Sequence, residues 1–324
     1  MMRTYAVLFP GQGSQHQDML STYIDNEIFR NTISEASEAL GYNIIETTKD
    51  QSKLNNTLYT QPIMVATSTA MWRVWKDKCN IAPSFAAGHS LGEYSALVAN
   101  GFIDFSDCLN VVEERAKLMN SSMNNIEGGM AAVIGLNPND IEDICINLSG
   151  KNGIIEAVNY NSDMQTVVAG HIDVVSKSVE IFKSSGAKLV KLLPVSVAAH
   201  TSIMKSCSDN LNKLLLNKDL LSSKEDNTVD SVSRWSFPVI HNADASSKTD
   251  NRDIIDSLVK QVYSPVLWTQ TIKNINNLNT NIFIEIGPGN VLTGLNKRIL
   301  KDANTVSISD FKNIDDALRF ISDV

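Results

Sequence analysis

The sequence predicts an α/β fold. Short, almost continuous apolar runs, Tyr5-Ala6-Val7-Leu8-Phe9 first among them, alternate with segments of helical period. That is the pattern of buried parallel strands joined by helices. In the middle of the chain the order becomes βαββαβ, the ferredoxin-like pattern. Composition agrees: 324 residues, 43% hydrophobic and 20% charged, can build a core without disulfides or metal.

The elements follow in order. Tyr5–Phe9 reads as a buried strand stopped by Pro10-Gly11, and residues 62–75 as a helix. Residues 84–87 form a short strand. A helix over 91–100 ends at Gly101 as its C′ residue. Residues 104–120 are helical, with Ser106 or Asp107 as N-cap. Next come a strand at 130–136, a helix at Pro138–Leu148 capped by Asn137 with Pro at N1, strands at 154–158 and 166–169, a helix at 173–185 closed by Gly186, and a strand at 188–193. This stretch, 126–197, reads as a small subdomain inserted into a larger core made of 1–125 and 198–324. Residues 202–216 carry Ile203, Cys207, Leu211 and Leu214 at helical spacing. Residues 217–236 are polar, rich in Ser and Asp, and read as a surface insertion. Strands at 237–240 and 282–286 and a helix at 291–300 complete the chain, and no internal repeat is found.

Charge narrows the function. Twenty-eight Lys and Arg against 36 Asp and Glu give −8, which argues against nucleic acid as a partner. Cys79, Cys108, Cys145 and Cys207 form no CxxC pair, so neither a metal site nor a disulfide framework is expected, and the setting is cytoplasmic. No apolar run approaches the ~18 residues of a membrane span. The five apolar residues near the N-terminus are too few for a signal peptide.

Gly88-His89-Ser90-Leu91-Gly92 lies between a strand and a helix, as a nucleophile elbow requires. The glycines allow close packing around a strained serine, and the following helix points N–H groups at developing negative charge. A serine needs a base. His16 and His171 lie in polar turns and read as solvated. His89 points away from Ser90. His200 and His241 each follow a strand, and spacing alone leaves them equivalent. No acidic residue stands out as a third member. Arg115 falls in the middle of an apolar helical face with Cys108, Val111, Val112, Leu118 and Met119. A guanidinium there needs an anion: an internal carboxylate, or a carboxylate or phosphate on a substrate. Gly11-Gln12-Gly13-Ser14-Gln15 lacks the end of a P-loop, but its N–H groups could form half of an oxyanion hole.

These motifs resemble those of the malonyl-CoA:acyl carrier protein transacylases of bacterial fatty acid synthesis. The resemblance runs nearly end to end. It rests on Phe9-Pro10-Gly11-Gln12-Gly13-Ser14-Gln15, Gly88-His89-Ser90-Leu91-Gly92-Glu93-Tyr94, Glu114-Arg115-Ala116-Lys117-Leu118-Met119, Val158-Asn159-Tyr160-Asn161-Ser162, Pro194-Val195-Ser196-Val197 before His200, Gln261-Val262-Tyr263-Ser264-Pro265 and Glu285-Ile286-Gly287-Pro288-Gly289. It implies an α/β-hydrolase-like core with a parallel sheet and an inserted ferredoxin-like subdomain. It implies Ser90 as nucleophile, His200 as base, and the N–H groups of Gln12 and Leu91 as oxyanion hole. Arg115 would bind the malonyl carboxylate, and Gln261 would stand near His200, whose ring a backbone carbonyl orients. Gln61, Asn159 and Asn161 would line the cleft. His241 matches no motif and is set aside.

The substrates implied are malonyl-CoA and the phosphopantetheine thiol of acyl carrier protein, a transient partner. No bound cofactor or metal, no membrane, and a monomer are expected. The carrier is acidic by the same resemblance, so docking needs a local basic surface. Lys297, Arg298 and Lys301, with Lys188 or Lys191, are the candidates. Two departures stand out. Ala198-Ala199 replaces the family's usual Pro-Ser before the histidine, beside the acyl pocket, and 217–236 is longer than usual. Competing readings are a stand-alone acyltransferase for a polyketide synthase, an acyl-thioester hydrolase, which has no need of Arg115, and an inactive carrier-binding scaffold.

Overall fold

Every residue of the strand β1 (Tyr5–Phe9) is fully buried, and the larger of two sheets is built around it. The computed structural model describes residues 4–123, 126–216 and 237–322. With β2 (Phe85–Gly88), β7 (Val239–Ile240), β8 (Ile282–Glu285) and β9 (Asn304–Ser307), the sheet has the order β7-β2-β1-β8-β9, and all its pairs are parallel. Parallel pairing forces helical crossovers, which cover both faces. Alternate residues of β1 accordingly enter two core clusters, Tyr5, Val7 and Phe9 on one side and Ala6 and Leu8 on the other.

The smaller sheet comprises β3 (Gly128–Ile134), β4 (Ile155–Ser162), β5 (Gln165–His171) and β6 (Leu189–Leu192), antiparallel in the order β4-β5-β3-β6. Ala131, Val133 and Val168 pack with Ile141, Val175 and Phe182 of the helices Pro138–Leu148 and Ile172–Ser184. Met130, Val167 and Ala169, on the opposite face, join the main core. The alternation of strand side chains thus fastens this sheet to the main body.

Several boundaries differ from the sequence reading. The helix expected at 62–75 runs Thr57–Lys78, because Asn56 caps it by accepting from Leu58 N, and Pro62 lies inside it. Asp104, not Ser106 or Asp107, occupies the N-cap of Phe105–Ser121, with an extended backbone (φ −70°, ψ 150°). Residues 202–216 are not one α-helix: Ser202–Cys207 is 3₁₀ and Ser208–Leu215 is α. The strand expected at 237–240 keeps only Val239–Ile240, since Pro238 has no N–H to give a ladder. β3 runs 128–134 rather than 130–136, and β4 and β5 are longer than expected. His171 is not a solvated turn residue: it ends β5, and its Nδ1 accepts from Ile154 N at 3.0 Å. Residues 217–236, expected as a surface insertion, lie outside the described residues. Among the described residues no helix is long and apolar enough to cross a membrane.

Candidate active site

The site forms where the carboxyl ends of β1, β2 and β7 meet. Crowded backbone makes glycine necessary there. A Cβ on Gly88 would stand 1.9 Å from the Gly92 carbonyl carbon, and one on Gly92 would stand 2.0 Å from Phe9 O. The elbow therefore presses directly onto the end of β1, and His89 N donates to Phe9 O at 2.9 Å.

Ser90 has φ 51° and His200 has φ 66°. Only Ala245 and Asn279 share that region with them among the described non-glycine residues. Such strain persists only where surroundings enforce it, and it gathers at functional sites. Ser90 Oγ lies 2.6 Å from His200 Nε2, and His200 Nδ1 lies 2.7 Å from the Gln261 carbonyl. The carbonyl can only accept, so Nδ1 carries the proton and Nε2 is left as acceptor for the serine hydroxyl. His200 is 2% exposed. Burial, then the nearby Arg115 charge, pushes its pKa down to about 3, so the ring is neutral at ordinary pH. His241 is elsewhere: its Nδ1 lies 2.7 Å from Glu93 Oε1, and both side chains are buried.

Leu91 stands at the N-terminus of the helix Gly92–Ala99, and Gln12 sits in the turn after β1. Among the described residues neither backbone N–H has a protein acceptor. Thr57 Oγ1 donates to Gln12 Oε1 at 3.2 Å, and Gln61 Nε2 donates to Thr57 Oγ1 at 2.9 Å. This chain leads to Arg115, whose Nη1 donates to Gln61 Oε1 at 2.6 Å while Nη2 donates to Gln261 Oε1 at 3.1 Å. The guanidinium lies 5.4 Å from the Tyr94 ring centroid, within cation–π range. Arg115 is 2% exposed. Among the described residues no carboxylate lies within ion-pair distance of it, and its Nε has no partner. Its described partners, two amide oxygens and an aromatic ring, are all neutral, so the buried charge has no counter-ion among the described residues.

Asn161 Oδ1 lies 2.8 Å from His89 Nε2, which ties β4 to the elbow. Asn159 is buried nearby on β4, its Oδ1 without a partner. The structure thus brings Ser90, His200, Arg115, Gln61 and Gln261 into one linked cluster, with Gln12 and Leu91 at its edge and Asn161 behind His89.

Sequence reasoning missed Glu93 and Asn242. Glu93 is fully buried and receives Asn242 N and Gln261 Nε2 on Oε2. A lone carboxylate in the otherwise small and apolar helix GEYSALVA was the available signal.

Beyond the cleft, Lys297, Arg298 and Lys301 line a recess of about 380 Å³ together with Ser162, Met164 and Gln165. Lys188 N donates to the carbonyl of Ile134, which also lines the recess, so Lys188 stands at the same end of the small sheet.

The family model described as the acyl transferase domain matches residues 6–314, nearly the whole chain. The class is therefore the acyltransferases. A malonyl CoA-acyl carrier protein transacylase from Salmonella typhimurium is 39% identical over 95% of this chain and 97% of its own length. The solved structure of the malonyl CoA-acyl carrier protein transacylase from Coxiella burnetii superposes with a TM-score of 0.91 at 35% identity, covering 99% of this chain and 98% of that one. A solved complex of a type II PKS acyl-carrier protein with its malonyl-transacylase matches with a TM-score of 0.89 at 37% identity, over 98% and 99%. Within the acyltransferases, the chain belongs to the malonyl CoA-acyl carrier protein transacylase family.

Proposed function

We propose that the protein carries a malonyl group from malonyl-CoA to the phosphopantetheine thiol of an acyl carrier protein, as a cytoplasmic monomer without a bound cofactor. In this reading residues 1–125 and 198–324 form an α/β-hydrolase-like core, and 126–197 form a ferredoxin-like insert. The observation that carries the reading is Arg115: buried, seated on two amide oxygens, and without a carboxylate of its own among the described residues. A guanidinium has five N–H groups. Two are taken by Gln61 and Gln261, leaving three for the free carboxylate of a malonyl group.

The chemistry follows from the Ser90–His200 pair. His200 Nε2 takes the Ser90 proton as Oγ attacks the thioester carbonyl. The oxyanion is held by the Gln12 and Leu91 N–H groups, each such donor being worth ~10²–10³ in rate. The C–S bond breaks, CoA leaves with the proton from His200, and a malonyl-Ser90 ester remains. The carrier thiol then gives its proton to His200 and attacks the ester, and Ser90 regains its hydroxyl. This two-stage transfer predicts ping-pong kinetics. The complex of a relative with an acyl-carrier protein supports that class of partner. The recess carries three cations, Lys297, Arg298 and Lys301, against one carboxylate, Asp163, a balance that suits an acidic carrier.

Intact-mass measurement after malonyl-, methylmalonyl- and acetyl-CoA are offered in competition tests the reading. A malonyl adduct should dominate and should vanish in Ser90→Ala. A persisting adduct in Ser90→Ala, or an acetyl adduct in excess, overturns it.

A further inference from the structure

One residue touches both sides of the elbow without entering the cleft. Asn242 follows the strand β7, and its Oδ1 accepts from Ser90 N at 2.6 Å while its Nδ2 donates to Gly88 O at 2.7 Å. The two backbone groups flank the turn whose central residue holds φ 51°. Asn242 itself is 1% exposed and cannot drift. Its N–H donates to Glu93 Oε2 at 3.0 Å, and its carbonyl accepts from Leu267 N at 3.0 Å. All four polar groups of the residue are spent on this one geometry.

We propose that Asn242 is a positioning residue that holds Ser90 in its strained turn and so sets the distance from Oγ to His200. The reasoning is steric and polar together. A non-glycine residue at positive φ relaxes toward ordinary backbone unless something opposes it. The Ser90 N–H and Gly88 carbonyl are the groups that would move, and a single rigid amide bridges them. Glu93 completes the device. It anchors Asn242 through one N–H and Gln261 through Nε2, and the Gln261 carbonyl orients His200. Nucleophile and base are thus referred to one buried carboxylate.

This goes beyond the malonyl reading and rests on it only for the choice of acyl donor. The role is separable from that of Arg115, because holding the serine affects every acyl donor equally. Asn242→Ala should lower the rate of enzyme acylation roughly 10²-fold for malonyl-CoA and acetyl-CoA alike, the scale of a small misplacement of reacting atoms. KM for malonyl-CoA and the malonyl-to-acetyl preference should change little. Inactivation by phenylmethylsulfonyl fluoride, which needs Ser90 and His200 but no malonyl site, should slow by a similar factor. That arm reports on Asn242 even if malonyl proves to be the wrong substrate.

Asn242→Asp supplies a second signature. As a carboxylate it sets an oxygen against Gly88 O. Once protonated it again offers one acceptor and one donor. Its acylation rate should therefore rise at least about tenfold as pH falls through the carboxyl's titration, where wild type shows no such rise. A stably folded Asn242→Ala with unchanged acylation and sulfonylation overturns the proposal. So does a pH profile for Asn242→Asp parallel to that of wild type, whether or not the alanine variant folds.

Discussion

Arg115→Ala tests the anion seat most directly. The substitution removes a guanidinium that is 2% exposed and leaves Gln61 and Gln261 in place on their own partners. In the wild type Gln61 and Gln261 take two of the five N–H groups, and the other three have no protein acceptor among the described residues. A bidentate carboxylate would use two of them, and a hydrogen bond to a charged group contributes about 1.5–3 kcal/mol. Losing both costs about 3–6 kcal/mol, so kcat/KM for malonyl-CoA should fall by ~10²–10⁴. Acetyl-CoA has no carboxylate to lose, and its kcat/KM should stay within roughly tenfold of wild type. The assay is release of CoA at subsaturating donor, with each thioester measured separately and folding checked by thermal denaturation. An equal loss for both donors would mean that Arg115 supports the scaffold. No loss for malonyl would remove the anion seat altogether.

Four further outcomes follow from particular contacts. His200 has its pKa depressed from 6.5 to about 3, by burial first and the Arg115 charge second, so its base form persists below neutrality. The acid limb of kcat/KM should lie well below pH 6, and a limb at the ordinary histidine value would refute this. The same shift makes the folded chain resist a proton that the unfolded chain accepts. This contribution to stability is full above pH 6.5 and is lost as pH falls toward 3, which urea titrations across that range can follow. Gly92→Ala places a Cβ 2.0 Å from Phe9 O and should abolish folding or acylation; a variant with wild-type melting and activity would contradict the elbow's packing. Lys297→Glu with Lys301→Glu should raise KM for the carrier roughly tenfold or more, more steeply at low salt, and spare KM for malonyl-CoA. An unchanged carrier KM moves docking elsewhere.

What the sequence displayed, and what it hid, divides along the range of the interactions. β1 was legible because a strand buried on both faces must be apolar throughout, and Tyr5–Phe9 is. The Pro138–Leu148 helix was legible to the residue, because Asn137 accepts from Asp140 N and Pro138 occupies N1. Arg115 was visible as a charge on an apolar stripe. The stretch Ser202–Cys207 misled because it is only two 3₁₀ turns long, and its buried pair, Met204 and Cys207, is three residues apart, a spacing that both helix types allow. The choice between His200 and His241 could not come from spacing, since both follow strands; the contact with Ser90 spans 110 residues. Asn242 left no local trace, because it meets Ser90 across 152 residues.

Those long-range contacts also explain how one buried arginine and one buried carboxylate coexist in the site without pairing. Gln261 stands between them: Oε1 faces Arg115, while Nε2 faces Glu93 Oε2 and Ser90 O at 2.9 Å each. The two acceptors on one side fix the amide's orientation, so its oxygen must face the guanidinium. A direct Glu93–Arg115 pair would fill the fork that a substrate carboxylate needs. An interposed amide keeps the opposite charge close, in surroundings where an isolated buried cation is costly, and leaves the fork open. The same residue's backbone carbonyl orients His200. Substitution at position 261 should therefore damage donor selectivity and base orientation together, unlike substitution at 115, which should damage selectivity and leave the orientation of His200 in place.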